Sequence, residues 1–201
     1  MSEAAVSVRI TTTELREFLS GKVSSAAKAA LRKAGSTALR DMRSEASKRV
    51  RKRKRIRVSI VRRMLDVRAA GGSKVESMAW TLNVRGDFVP LSSFPHRQTR
   101  RGVSVATTPG QRKLVGGAFA AKMPRSGHEG IFVRRGAARL PIRELLGPRP
   151  VDVLLHDDEA QEVGARGQTS LAATFMRLLP MEIGKAAAAA LANAAKDAAA
   201  P

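Results

Sequence analysis

Apolar positions between residues 24 and 50 recur at steps of three and four. In "SSAAKAALRKAGSTALRDMRSEASKRV", Ala27, Leu31, Ala34, Ala38, Met42, Ala46 and Val50 fall on one side. That spacing predicts a long helix burying one stripe. Ser24 or Ser25 can cap it, and Lys28, Arg32, Arg40, Arg43 and Ser47 lie mainly away from the stripe. The stripe is mostly Ala, so a neighbour can approach closely, while Gly35 is a mild cost inside the helix. Upstream, "TTTELREFLSG" predicts a short helix. Thr11 and Glu14 have capping-box spacing, Leu15, Phe18 and Leu19 give an apolar side, and Gly21 can end it. Downstream, Ile56, Ile60 and Leu65 in "IRVSIVRRML" predict a second short helix, closed by Gly71-Gly72.

From Ser73 to about Val153 the period changes to two. In "SKVESMAWTLNVRG" the mostly apolar set Glu76, Met78, Trp80, Leu82 and Val84 alternates with Val75, Ser77, Ala79, Thr81 and Asn83, as in a strand with one face on a core. Pro109-Gly110 and Gly116-Gly117 are turn signals, and "HEGIFVRRG" is a further strand. Pro141, Pro148 and Pro150 punctuate a region of strand and loop after it. An antiparallel sheet of about four to six strands is expected. The helical period returns in "TSLAATFMRLLPMEIGKAAAAALANAAKDAAAP" through Leu171, Phe175, Leu178 and Leu179, then Ile183, Ala187, Leu191 and Ala194. Pro180 between them either kinks one helix or opens a second.

Fold class is therefore α+β: a long N-terminal helix packed on an antiparallel β-sheet, with a C-terminal helix. Four segments make one structural unit. Residues 1–23 are an N-terminal extension, 24–70 the long helix and a basic helical segment, 71–155 a β-domain, and 156–201 an acidic loop and helical region. The 201 residues are 43% apolar, but only 3% aromatic: six Phe, one Trp, no Tyr. A core of Ala and Val is thin, and such a chain gains stability by association.

No cysteine is present, which excludes a disulfide framework and a Cys-ligated zinc site. No apolar run suits a bilayer span, and "MSEAAVSVRI", acidic at position 3, lacks the pattern of a secretory signal. A soluble protein made inside the cell, without membrane contact, is expected.

Charge changes the picture most. Residues 48–149 carry 25 basic and 5 acidic side chains, matching the whole net charge of +20. Within them, "KRVRKRKRIRVSIVRR" (48–63) has ten cations in sixteen residues and no acid. Three readings stay open: a solvated face or arm, a phosphate-binding surface, or a charged contact to a protein partner. The candidate contact residues are Arg49, Arg51, Lys52, Arg53, Lys54, Arg55 and Arg57. A second group, Arg97, Arg100 and Arg101, falls in an expected loop between strands. No zinc-finger spacing, helix-turn-helix or aromatic interleaving supports base-specific readout.

Candidate chemistry is sparse. "HDDEAQE" brings His156, Asp157, Asp158, Glu159 and Glu162 together, types that bind metals or move protons. The cluster is contiguous and comes after a strand-like "VDVLL", which predicts an exposed acidic loop. Asp157, Asp158, Glu159 and Glu162 could pair with the basic middle of a neighbouring subunit. His96 and His128 have no nucleophile or carboxylate placed beside them by the sequence. The glycines at 116 and 117 lack the Lys and Ser/Thr of a phosphate-binding loop. No catalytic residue, metal or cofactor is assigned, and no enzyme is expected.

The β region also carries an ordered string: "PLSSF", "RQTRRGVSV", "GAF", a Gly-flanked strand ending in Arg-Arg, then "LPIRELLGP". With the upstream "VRKRKRIRVSIVRRML" and the closing "LLPMEIGKAAAAAL", the order resembles the minor tail protein Z family of tailed phages and prophages, over about residues 24 to 195. The resemblance implies a lambda-like tail completion protein, a non-enzymatic virion component of the neck that acts in head–tail joining. Its implied partners are copies of itself in a ring with the tail's six-fold symmetry, the tail terminator, the head–tail stopper or other neck proteins, and the phage DNA in the neck. It would be made in the host cytoplasm. The alternative is a sequence-independent nucleic-acid-binding protein using segment 48–63.

Overall fold

The computed structural model describes residues 6–11, 24–70 and 78–198, with the side chains of 25–69, 78–156 and 158–193. The short helix expected after Thr11 and the Gly71-Gly72 stop fall outside the described residues. In chain order the elements are β1 (Val6–Thr11), α1 (Ser24–Arg53), α2 (Val58–Met64), β2 (Leu65–Ala70) and β3 (Ala79–Val84). Next come β4 (His96–Thr99), β5 (Gly102–Thr108), β6 (Gln111–Gly116), β7 (Ala118–Lys122), β8 (Glu129–Arg134), β9 (Ile142–Glu144), α3 (Pro150–Leu154) and α4 (Asp157–Ala198). This is the expected α+β class, with a long first helix, antiparallel sheets and a C-terminal helix.

Two compact units arise. One comprises 1–6, 46–66 and 83–160, the other 7–45, 67–82 and 161–201. α1 and α4 each contribute to both units.

The second unit holds most of the Ala stripe. Ala27, Leu31, Ala34, Ala38 and Met42 are fully buried as the periodicity predicts, and in the first unit Ala46 and Val50 continue the stripe. Ser47, expected to lie away from it, is buried as well. Trp80 explains Gly35: the indole lies so close to α1 that a Cβ at position 35 would overlap its ring atoms. The helix-propensity cost of Gly is thus the condition for packing the one Trp against the helix. Met78, Trp80, Leu82 and Val84 are buried and Thr81 and Asn83 partly exposed, as expected of β3, but Ala79, expected on the other face, is buried too; Val75, Glu76 and Ser77 fall outside the described residues. α4 supplies Val163, Leu171, Phe175 and Leu179 to the buried set. Two polar links join α4 to α1 here. Ser170 Oγ donates to Asp41 Oδ2, and Lys33 Nζ donates to Glu182 Oε1 at 2.8 Å.

Strands form three three-stranded sheets, ordered β1-β3-β2, β4-β5-β6 and β7-β8-β9, where one larger sheet was expected. The break between the last two has a local cause. Only Gly117 separates β6 from β7, and its φ of +67° turns the chain out of the first ladder. β7 then pairs antiparallel with β8, in register Phe119↔Phe132. Pro109-Gly110 closes the β5–β6 hairpin as predicted.

Three further expectations are corrected. The second short helix stops at Met64, and Leu65, buried and extended, already opens β2. "VDVLL" is helical rather than strand-like: Pro150 occupies the first turn of α3, where its fixed φ and missing N–H suit a helix start. The acidic stretch is not a loop but the start of α4, a helix of 42 residues with Pro180 inside it. Carboxylates in a first turn complement the positive end of the helix dipole.

Candidate functional site

The basic run is split by the fold into parts with different work. Its first half lies on α1, whose last turn carries Arg51, Lys52 and Arg53. Cations there are favoured by the negative helix end. Arg49 and Arg53 are four residues apart and share a face. Both reach Glu159 of α4: Arg49 Nη1 lies 2.7 Å from Oε2, and Arg53 Nε lies 2.9 Å from Oε1. The Glu159 side chain is 12% exposed. The Arg49 hydrogen bond holds its carboxyl below the ordinary glutamate range, against the opposing effect of burial and with further help from Arg53. So Glu159, expected to face another subunit, is occupied within its own chain. Asp158 and Glu162 are exposed on the same helix.

The second half is an ordered linker. Lys54 N–H donates to the Val50 carbonyl (2.8 Å), and Arg55 N–H to the Thr107 carbonyl of β5 (2.9 Å). Ile56 is buried and anchors the turn. Arg57 then precedes α2, where its carbonyl accepts from Ile60 and Val61. Backbone bonds and one apolar plug fix the path, and the cationic side chains of Arg55 and Arg57 are left at the surface.

A cleft of about 570 Å³ opens along this linker. Arg51, Lys54, Arg55, Arg57 and His96 bring cationic or polar groups to it, and among the described residues no carboxylate lines it. His96 Nδ1 sits 2.9 Å from the Phe94 carbonyl, which can only accept, so the ring's Nε2 is left for other partners. Among the described residues no ion pair engages Arg51, Lys54, Arg55 or Arg57.

The second basic group separates differently. Arg100 and Arg101 form the turn between β4 and β5, and Arg97 lies on β4 opposite Ser104. A shallow cleft of about 530 Å³ places Arg97 beside Gln98, Thr99, Ser104 and Arg112. Arg112 was not singled out from sequence. Its tie to Arg97 is a three-strand register, in which Ser104 faces both Arg97 and Leu114, two residues beyond Arg112. His128 Nε2 lies 2.9 Å from Glu144 Oε1, on another sheet from His96.

Among the described residues no group of His, Asp or Glu is arranged to hold a metal ion, and no helix is long and apolar enough to cross a membrane. Comparison with protein-family models, with curated proteins and with solved structures finds no match to this chain.

Proposed function

We propose that this chain is a structural virion protein of a tailed phage, a tail completion component of the neck that acts in head–tail joining without catalysis. The observation that carries the reading is the ordered string from "PLSSF" to "LPIRELLGP", set between a basic segment and a closing helix with "LLPMEIG". The architecture supports it. A long first helix, antiparallel sheets and a long last helix occur in the order that the minor tail protein Z resemblance implies.

Surface chemistry supports association. On α4, Met176, Met181, Ile183 and Leu191 are 68%, 55%, 40% and 72% exposed. Large apolar side chains in that number on one helix suit coverage by another subunit. A ring of copies, seated against the tail terminator, the head–tail stopper or another neck protein, would supply that cover. A ring built from one repeated heterologous contact closes by symmetry.

Deleting the gene from the phage or prophage that carries it tests the reading. Electron microscopy of the lysate should show filled heads and separate tails, or joined particles that do not infect. Normal, infectious particles from the deletion would overturn the proposal.

A further inference from the structure

We infer that the linker cleft formed by Arg51, Lys54, Arg55, Arg57 and His96 is a binding site for the phosphodiester backbone of duplex DNA, read without regard to sequence. The inference goes beyond the neck reading, since it concerns a ligand of the chain itself.

Occupancy of the charges is the first ground. Glu159 takes up Arg49 and Arg53, so the run is not a uniform patch. Of what remains, four cations within seven residues line the cleft, held by backbone bonds from Lys54 to Val50 and from Arg55 to Thr107. Holding like charges together costs free energy that an anion would offset. Guanidinium groups offer paired N–H donors that match a phosphate, and Lys54 adds a point charge.

The cleft does not stand alone. Lys54 also reaches a neighbouring cleft with Lys52, where Asp152 is the acidic member, and Arg57 and His96 border another in which Lys122 is paired with Glu129 at 3.2 Å. The unpaired cations thus concentrate in the linker cleft, at a spacing that fits a ligand with closely repeated charge, as a duplex presents about one per 1.7 Å of its axis.

Two observations set the duplex apart from other polyanions. A protein partner is expected to insert apolar or aromatic anchors, yet the large apolar side chains lining this cleft, Ile56 and Phe94, are 5% and 2% exposed. A single strand is gripped by stacking its bases on free aromatic rings. Among the described residues Trp80, Phe94, Phe132 and Phe175 are buried. Phe119 lies under Arg134, 5.3 Å from its ring centre, and Phe88, 48% exposed with Arg149 at 5.2 Å, is not among the residues that line this cleft. Backbone contact to a duplex is the mode left to this surface.

Fluorescence anisotropy with the purified full chain and two labelled duplexes of unrelated sequence tests this. Both duplexes should bind alike, with affinity falling steeply in salt. The variant Arg51→Gln/Lys54→Gln/Arg55→Gln/Arg57→Gln should shorten the slope of log K against log salt by about 3.6, at roughly 0.9 for each phosphate no longer neutralised. A charge-matched control, Arg125→Gln/Arg135→Gln/Arg139→Gln/Arg143→Gln, should shorten it by less than half as much. Circular dichroism and thermal midpoints check that both variants fold. Equal losses in the two variants would replace the site with a diffuse field. Competition by polyglutamate as strong as by unlabelled duplex of equal charge would assign the cleft to an acidic polypeptide, and tighter binding of a single strand would overturn the duplex. A wild-type chain that binds neither duplex at low salt would end the proposal. Affinity is read on the isolated chain, so its failure is distinguishable from a deletion phage that assembles normally.

Discussion

Trp80 packs its indole against Gly35 of α1, in the space that any other residue's Cβ would fill. The one Trp of the chain is 3% exposed, and its burial depends on a residue that disfavours the helix. Gly35→Ala should gain about 1 kcal/mol of helix propensity and lose more to overpacking, which costs typically about 1–3 kcal/mol. Because the overlap is with the rigid indole ring, the cost falls at the upper end of that range, and a net loss of about 2 kcal/mol is expected in urea unfolding. Pairing Gly35→Ala with Trp80→Leu should recover most of it, since the smaller side chain removes the overlap. Additive losses in that double-mutant cycle would show that the two positions do not meet.

Glu159 joins α4 to α1 through Arg49 and Arg53. Glu159→Gln keeps the shape and removes the charge that Arg49, 22% exposed, pairs with. Arg53 is 54% exposed and can return to water, so that arm contributes little. The expected loss is about 1–2 kcal/mol, read as a lower denaturation midpoint with an unchanged m-value. Arg49→Gln should cost more than Arg53→Gln, in line with their burial.

Acid should weaken the fold through the same carboxyl and through Glu182. Both are held below the ordinary glutamate value of 4.5, Glu159 chiefly by Arg49 and Glu182 chiefly by Lys33, with Lys185 next. A carboxyl that binds its proton less tightly when folded stabilises the fold fully above the unfolded value. As pH drops below about 4.5 the unfolded chain takes up protons first, so the contribution fades until the folded value is passed. Urea midpoints measured from neutral pH downward should therefore fall below about pH 4.5. In Glu159→Gln and Glu182→Gln the neutral-pH midpoint should start lower and the acid decline should be shallower. Identical acid limbs in wild type and variants would contradict the linkage.

Local regularities were legible in the sequence, and long-range pairings were not. The α1 stripe and the β3 alternation depend on neighbours a few residues apart, and apart from the buried Ala79 both follow the predicted pattern. Gly35 read as a cost because its partner lies 45 residues on, in another element. Glu159 read as a free acidic side chain because Arg49 is 110 residues away. The four-residue spacing of Arg49 and Arg53 was the available signal, since it puts two cations on one helix face. "VDVLL" misled because a short apolar run fits a strand or a helix equally well, and Pro150 at its start was the arbiter. Arg112 and His96 join their clefts only through strand register and the Phe94–Pro95 turn, which no composition reveals.

Cations within one run should respond to neutralisation in opposite directions. Arg49 is paired, so its loss destabilises. Arg51, Arg55 and Arg57 line a cleft that has no carboxylate among the described residues, and they repel one another in the free protein. Arg55→Gln or Arg57→Gln should raise the thermal midpoint slightly in low salt, because self-repulsion is relieved. Added salt screens charges beyond about 10 Å at 0.1 M, so the gain should shrink as salt rises, whereas the Arg49→Gln loss should persist because that pair is mostly shielded from solvent. Saturating duplex DNA sharpens the contrast: it should raise the midpoint of wild type more than that of Arg55→Gln/Arg57→Gln, since a ligand stabilises the state that binds it. If the free protein loses stability on removing Arg55 and Arg57 at every salt concentration, those residues are structural and the cleft is a by-product of packing.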